Sequence, residues 1–139
     1  MFKTVDTTDD LAKAFSIRSI VFVHEQKCPY YEEFDGLDFN SCHIIGETED
    51  EPFACARIRY FPDFAKFERI ALRKEWRGLG YGKELIEFME SLVNKSGYKS
   101  IKMHSQVYAI PFYEKMDYLA YGETFSEAGI SHRKIYKQL

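Results

Sequence analysis

The run of glycines at mid-chain, Arg77-Gly78-Leu79-Gly80-Tyr81-Gly82, is the segment whose residue types and spacing most clearly indicate chemistry. Glycine lets the backbone take unusual dihedral angles and approach a ligand closely. At the start of a helix the first amide N–H groups lack acceptors, and the helix dipole adds partial positive charge at the same point. A glycine loop that opens a helix therefore predicts a site for an anion such as a pyrophosphate.

Single positions around this run exclude two common nucleotide-binding loops. A P-loop needs glycine at 77 and Ser or Thr at 84, where this chain has Arg77 and Glu84. A Rossmann fingerprint that begins at Gly78 needs glycine at 83, where the chain has Lys83, and it belongs in the first strand-to-helix turn. A tight turn that binds nothing stays open as an alternative.

Hydrophobic periodicity predicts the elements that hold this loop in place. Apolar residues at helical spacing predict one helix from 8 to about 23 and another from 80 to 95. Segment 24–41 has no steady period and is predicted as a long loop, a feature that is often functional in compact domains. The predicted strands are 2–5, 43–47, 53–60, 67–72, 100–105, 118–124 and 132–137, with a turn at 48–52 and a short helix at 108–116.

The order of these elements defines the fold class. Strands joined by hairpins fill the first half, and a strand–helix–strand crossover in the middle requires a parallel pair. The sequence therefore predicts an α/β (α+β) fold, in which helices flank a mixed, mostly antiparallel sheet with a central parallel β-α-β crossover. No repeat or linker divides the chain, so residues 1–139 are expected to form one domain.

Composition limits the class of partner. A net charge of −3 argues against a nucleic-acid binder. No apolar run approaches the roughly 18 residues of a membrane span, and the N-terminus has no apolar signal region, so we expect a cytoplasmic protein without a membrane partner. The cysteines lack zinc or redox spacing and the histidines are scattered, so we expect reduced thiols and no metal site. These residues are Cys28, Cys42, Cys55, His24, His43, His104 and His132.

The glycine run resembles a family signature. It is similar to the R/Q-x-x-G-x-G/A motif of the GNAT acetyltransferases, with Arg77, Gly80 and Gly82 on the motif positions. The order of elements resembles that fold over nearly the whole chain. The resemblance implies direct acetyl transfer from acetyl-CoA to a primary amine of a small molecule or peptide, and it favours a homodimer. Three segments also resemble the small ElaA/YjcF-like subgroup, namely 21–26, 35–38 and 121–123.

By this resemblance, the loop and the strand before it would bind coenzyme A. Backbone N–H groups from Arg77 to Gly82 would hold the pyrophosphate, Lys83 would meet a phosphate, and the strand end would pair with pantetheine. A solvated basic face is the alternative for Lys83. The implied coenzyme-binding residues are Ile70, Ala71, Leu72, Arg77, Gly78, Leu79, Gly80, Tyr81, Gly82 and Lys83.

The segment from Pro111 to Tyr118 resembles the family's F-Y-x-K-x-G-F segment. The resemblance implies Tyr113 as the acid that protonates the leaving thiolate. Asp117 stands where that segment normally has glycine, and aspartate adopts a left-handed conformation less readily. A core tyrosine with no catalytic role is the alternative for Tyr113.

Glu68 is the candidate base, because many family members carry a carboxylate in this region. By strand alternation it shares a face with Ile70 and Leu72, and desolvation there is expected to raise its pKa. An ordinary ion pair is the alternative.

The long loop and the strand after it combine acids with aromatic rings, which suits a cationic amine. The predicted amine-binding residues are Glu25, Tyr31, Asp35, Asp38 and His43. A solvated acidic loop is the alternative. For the whole protein, a non-catalytic acyl-CoA sensor and a partner-binding module with an incidental glycine turn also stay open.

Overall fold

A computed structural model describes residues 1–49 and 51–139. Within these residues a seven-stranded sheet has the order β1-β2-β3-β4-β5-β7-β6. Every neighbouring pair is antiparallel except β4 and β5, which are parallel. The predicted fold class is therefore confirmed. The strands are β1 Phe2–Thr4, β2 Cys42–Thr48, β3 Glu51–Tyr60, β4 Ala65–Leu72, β5 Ser100–Gln106, β6 Leu119–Glu127 and β7 Ile130–Gln138.

The helices flank this sheet. The first begins where Thr7 accepts a hydrogen bond from the backbone N–H of Asp10, as expected for a hydroxyl N-cap. Its α-helical part continues as a π-helical segment, Ser19–Glu25, so the helix ends two residues beyond the predicted position. The helices are α1 Thr8–Arg18, α2 Tyr30–Glu33, α3 Tyr81–Lys95 and α4 Ile110–Glu114, with 3₁₀ turns at Lys74–Trp76 and Val107–Ala109. None of those in the described part of the chain has the length and apolarity to cross a membrane.

The other predicted boundaries differ by a few residues. Helix α2 is a single helical turn within the loop predicted at 24–41. The predicted turn at 48–52 joins β2 to β3, whose pairing reaches Thr48 and Glu51, while Asp50 lies outside the described residues. Strand β6 extends to Glu127, three residues past its predicted end.

Apolar residues cover both faces of the sheet. Leu85, Ile86, Met89 and Val93 of α3 are fully buried against one face, as their helical spacing predicts. On the other face α1 and the π-helical segment bury Ala14, Ile17 and Val21 against Ile45, Cys55 and Ala71. The central strands β3 and β4 are therefore packed between two layers of helices.

Strands β4 and β5 separate along their length. Their pairing runs only from Ala65 and Ile101 to Phe67 and Met103. Beyond it, β4 contains a bulge, because Arg69 and Ile70 together lie opposite one residue of β3, and Arg69 has a φ of 55°. A bulge bends a strand and re-aims its side chains. The remaining part of β4 therefore leaves an open edge beside β5.

Candidate active site

The space between the separated strands is a cleft of about 690 Å³. Strand β4 lines one wall with residues 66–72, and β5 lines the other with residues 103–106. The π-helical segment, α2, α4 and the turn between β6 and β7 close its sides. The cleft brings Glu68, the predicted pantetheine-pairing stretch 70–72 and Tyr113 into one site.

The glycine loop lies at the start of α3 and has the backbone expected of an anion site. Gly78 and Gly80 have φ values of 75° and 93°, which favour glycine. A Cβ atom on either residue would meet nothing within 4 Å, so the space beside the loop is open. Within the described residues, the amides from Gly78 to Lys83 donate to no backbone carbonyl, and the first helical bond runs from Glu84 to Gly80. These N–H groups are free for a ligand.

The backbone amide of Arg77 is already engaged, although the resemblance implied that it would contact the pyrophosphate. Its backbone N–H donates to the carbonyl of Lys74 at 3.3 Å, because the 3₁₀ turn before the loop ends there. Its side chain instead connects two elements. Nε donates to the carbonyl of Leu72 at 2.9 Å, and Nη2 contacts both carboxylate oxygens of Glu25 at 2.9 and 3.1 Å. Arg77 thus ties the end of β4 to the π-helical segment, and its amide does not join the free group.

Tyr113 lies on α4 and is 8% exposed. Burial raises the pKa of its hydroxyl, with a smaller effect from Tyr108. The neighbouring Phe112 ring is 3.4 Å from the position that a Cβ of Gly82 would occupy. The start of α3 and the helix that carries Tyr113 are therefore in van der Waals reach of each other at Gly82 and Phe112.

The turn after α4 keeps its shape despite Asp117. This residue adopts a left-handed conformation, with a φ of 71°. The amide of Tyr118 bonds to the carbonyl of Tyr113, and the amide of Asp117 bonds to Glu114, the two bonds of a Schellman ending. The departure from glycine at 117 therefore leaves the position of α4 intact.

Glu68 is the centre of an ion-pair cluster. Its carboxylate is 3.0 Å from Arg57 Nη2, 2.6 Å from Arg59 Nε and 3.4 Å from Lys66 Nζ. Burial alone would raise the pKa of this group, but the hydrogen bond from Arg59 and the charges of Arg57 and Lys66 lower it to about 2. The predicted rise in pKa is therefore wrong. That prediction depended on strand alternation, which the bulge after Glu68 interrupts. Arg57 is the residue of β3 that pairs directly with Glu68.

The acids of the long loop are also compensated by arginines. Arg57 Nη2 is 3.0 Å from Asp35, Arg57 Nη1 is 2.8 Å from Asp38, and Arg18 Nη1 is 2.6 Å from Asp38. Burial alone would raise the pKa of both aspartates, but the hydrogen bonds from these arginines hold it below its usual range. Arg69 contacts the same loop, 2.9 Å from Glu33 and 3.2 Å from Asp35.

The structure does not bring the five predicted amine-binding residues together. Tyr31 and Asp35 line the cleft. Asp38 and His43 lie outside the lining, where the His43 ring is 2.9 Å from the Asp38 carbonyl, and Glu25 pairs with Arg77. Arg18 of α1 and Arg57 of β3 hold Asp38 beside the sheet, and Arg77 holds Glu25 near the end of β4.

A second group of polar side chains, absent from the sequence-based predictions, lines the cleft beside Glu68. It consists of His104 on β5, Glu127 at the end of β6 and His132 on β7. His104 Nδ1 is 3.1 Å from Glu127 Oε1, and His132 Nε2 is 3.7 Å from Glu127 Oε2. The hydrogen bond from His104 is the main cause that lowers the pKa of Glu127. Strand alternation gives the face that each residue occupies, but it does not indicate that the three faces meet in one cleft.

This second group is not arranged as a metal centre. Within residues 1–49 and 51–139, no three His, Cys, Asp or Glu side chains converge as metal ligands. The three thiols are free, and burial raises the pKa of Cys55 to about 12.

Comparisons with known proteins define the class. A family model described as an acetyltransferase (GNAT) domain matches residues 18–139. The chain therefore belongs to the GNAT acetyltransferase family and is an acyltransferase. It is 38% identical to BSU40680, a Bacillus subtilis protein with an acetyltransferase name, over 98% of this chain and 95% of the relative.

Two further proteins connect the chain with the ElaA/YjcF-like subgroup, as the sequence predicted. Bacillus subtilis YjcF, named as an N-acetyltransferase, is 34% identical over 93% of each chain. The crystal structure of Escherichia coli ElaA superposes with a TM-score of 0.86 over 99% of each chain, at 24% identity. The last match concerns the fold alone.

Proposed function

We propose that this protein transfers the acetyl group of acetyl-CoA directly to a primary amine of a small molecule or peptide. The observation that carries the proposal is the row of free amides from Gly78 to Lys83, which follows directly after Arg77. Arg77 lines the cleft that also contains Tyr113. A diphosphate is the anion that such a row accepts best, because several N–H groups and the helix dipole face one point.

The donor would lie along β4. Strand β4 pairs with β3 on one side, while the edge beyond Phe67 has no partner on β5. The amide-containing pantetheine arm of coenzyme A can pair with this edge at Ile70, Ala71 and Leu72 as an added strand would. The thioester would then reach the level of Tyr113 inside the cleft.

Tyr113 would supply the proton for the leaving group. Attack by the amine nitrogen forms the N–C bond, collapse of the tetrahedral intermediate breaks the C–S bond, and the thiolate takes the phenolic proton. The nitrogen then loses a proton to solvent, and the Tyr113 phenolate takes one up, which restores the phenol for the next turnover. Because burial raises its pKa, the hydroxyl of Tyr113 stays protonated near neutral pH and is available as the acid.

Glu68 would support the site without accepting the proton itself. Moving a proton from an alkylammonium with a pKa of about 10.4 to a carboxyl with a pKa of about 2 costs roughly 11 kcal/mol. A group held so firmly by Arg57 and Arg59 serves better as an anchor for β4 beside its bulge. The base for the amine must then be found elsewhere in the cleft.

Calorimetry with acetyl-CoA, followed by an assay of thiol release across a panel of primary amines, tests the proposal. We expect saturable binding at one site and amine-dependent release of coenzyme A. Binding without transfer to any amine would favour an acyl-CoA sensor. No heat of binding would favour a partner-binding module and contradict the proposal.

A further inference from the structure

The cleft contains a histidine that has no part in binding acetyl-CoA or in protonating the leaving thiolate. His132 is 7% exposed and faces the cleft from β7, beside the tight turn between β6 and β7. Ala128 and Gly129 form that turn with φ values of 53° and 75°, the left-handed pair of a two-residue hairpin. Across this turn Glu127 pairs with Ile130, and His132 lies two residues further along β7.

The hydrogen bond of His132 fixes which ring nitrogen is basic. Nδ1 is 2.7 Å from the carbonyl oxygen of Ile130. A carbonyl only accepts hydrogen bonds, so Nδ1 carries the proton in the neutral ring and Nε2 keeps its lone pair. Nε2 is also the nitrogen that faces Glu127.

The distance between His132 and Glu127 leaves room for a ligand atom. At 3.7 Å the Nε2–Oε2 separation is too long for a direct hydrogen bond. An ammonium nitrogen on the cleft side can lie about 2.9 Å from both atoms and bond to each. The carboxylate would then balance the positive charge of the ammonium while the imidazole accepts its proton.

The neighbours of this pair hold it in position. His104 on β5 contacts the other carboxylate oxygen of Glu127. The ring of Phe125 packs against both imidazoles, with its centroid 5.0 Å from that of His104 and 6.0 Å from that of His132. The positive charge of Lys66 on β4 also lowers the pKa of Glu127. His104 acts here as a positioning residue, because its Nδ1 is engaged with the carboxylate.

We propose that His132 is the proton acceptor for the incoming amine and that Glu127 binds the ammonium beside it. This assignment rests on the proposed acetyl transfer. One proton passes from the ammonium to Nε2 and then to solvent, and the neutral amine attacks the thioester carbon. The nitrogen loses its second proton after the attack, which balances the one that Tyr113 gives to the thiolate. The net reaction releases one proton, coenzyme A and the N-acetylated product.

The test uses His132→Asn, because the asparagine amide can still donate to the Ile130 carbonyl while the basic Nε2 is removed. The matched control is His24→Asn, on the exposed surface of the π-helical segment and outside the cleft lining. Both variants and the wild type are assayed with ethylamine and with 2,2,2-trifluoroethylamine. The fluorines leave the second amine largely unprotonated near neutral pH, so it needs no base to become a nucleophile.

We expect His132→Asn to acetylate ethylamine about 100-fold more slowly, the lower end of the range for a lost general base. Its rate with trifluoroethylamine should stay within about threefold of the wild type, and its acetyl-CoA affinity should not change. Equal losses with both amines, or no loss with ethylamine, would overturn the assignment. A wild-type protein that binds acetyl-CoA and acetylates no amine would instead contradict the proposed function.

A second measurement needs no amine substrate. Nitrogen-15 NMR of the histidine rings in the wild-type protein distinguishes the two neutral tautomers. We expect His132 to carry its proton on Nδ1, and the assignment of its peak follows from its loss in His132→Asn. A proton on Nε2 would remove the lone pair from the cleft and overturn the proposal even if acetyl transfer is found.

Discussion

Arg57 and Asp35 form a bidentate ion pair, with Nη1–Oδ1 and Nη2–Oδ2 distances of 3.0 Å each. The pair joins a fully buried side chain of β3 to the middle of the long loop, 22 residues away. Arg57 also bonds to Asp38 and Glu68, so one guanidinium serves three carboxylates. The loop that forms one side of the cleft is therefore fastened to the central sheet by Arg57 of β3, together with Arg69 of β4.

Replacing Arg57 should destabilise the protein strongly. In Arg57→Ala three partly buried carboxylates lose a common partner, and breaking a buried pair in this way typically costs about 3–5 kcal/mol. Arg73→Ala is the matched control, because Arg73 pairs with the exposed Glu51 and Glu75 and should cost less than about 1 kcal/mol. Urea denaturation followed by circular dichroism measures both. Similar losses for the two variants would contradict the anchoring role of Arg57.

Glu68 should make stability depend on pH in the acid range. Its pKa falls from 4.5 to about 2 on folding, so the unfolded chain binds more protons between these values. The stabilisation is fully present above about pH 4.5 and is lost as the pH falls through 2, up to about 3 kcal/mol. Glu68→Gln should therefore flatten the fall in unfolding free energy across this window. Glu87→Gln, on the exposed face of α3, should retain the wild-type slope, and an equal slope in both variants would contradict the ion-pair cluster.

Local patterns predicted the helices, the strands and the unusual backbone of the glycine loop, because each depends on residues close in sequence. Helix α3 follows from its apolar spacing and from glycines at both ends, Gly80 and Gly97. The ion pairs around Glu68 could not be predicted in this way. The bulge at Arg69 shifts the strand alternation, and no residue pattern in the sequence marks it. The group of His104, Glu127 and His132 was equally inaccessible, because three strands must pair in the order β5-β7-β6 before these side chains meet.

The glycine loop can be tested by a pair of variants in one helix. Gly80→Val places a β-branched residue at a φ of 93° among the free amides, so we expect acetyl-CoA to bind at least about tenfold more weakly, or about 1.4 kcal/mol. Gly97→Val is a control with similar strain, since Gly97 has a φ of 85° and equally open surroundings at the other end of α3. Calorimetry measures both dissociation constants. Equal affinities would refute the anion site, whereas a shared loss of stability alone would not.

The role of Tyr113 can be separated from its packing by a second tyrosine of the same core. Tyr118 is also buried, 5.7 Å from Tyr113 between ring centroids, but its hydroxyl bonds to Glu90 at 2.7 Å and it does not line the cleft. Tyr113→Phe should slow turnover about 100-fold or more by removing the acid, while acetyl-CoA affinity stays within about twofold.

Tyr118→Phe should do the opposite, because it leaves Glu90 without one donor and costs about 1 kcal/mol of stability with turnover unchanged. Single-turnover measurements of thiol release and thermal unfolding of the two variants give both quantities. If Tyr113→Phe kept the wild-type rate, the leaving thiolate would not need this proton, and the buried hydroxyl would have only a structural role. The crossed pattern of losses distinguishes an acid from a core tyrosine more sharply than either variant does alone.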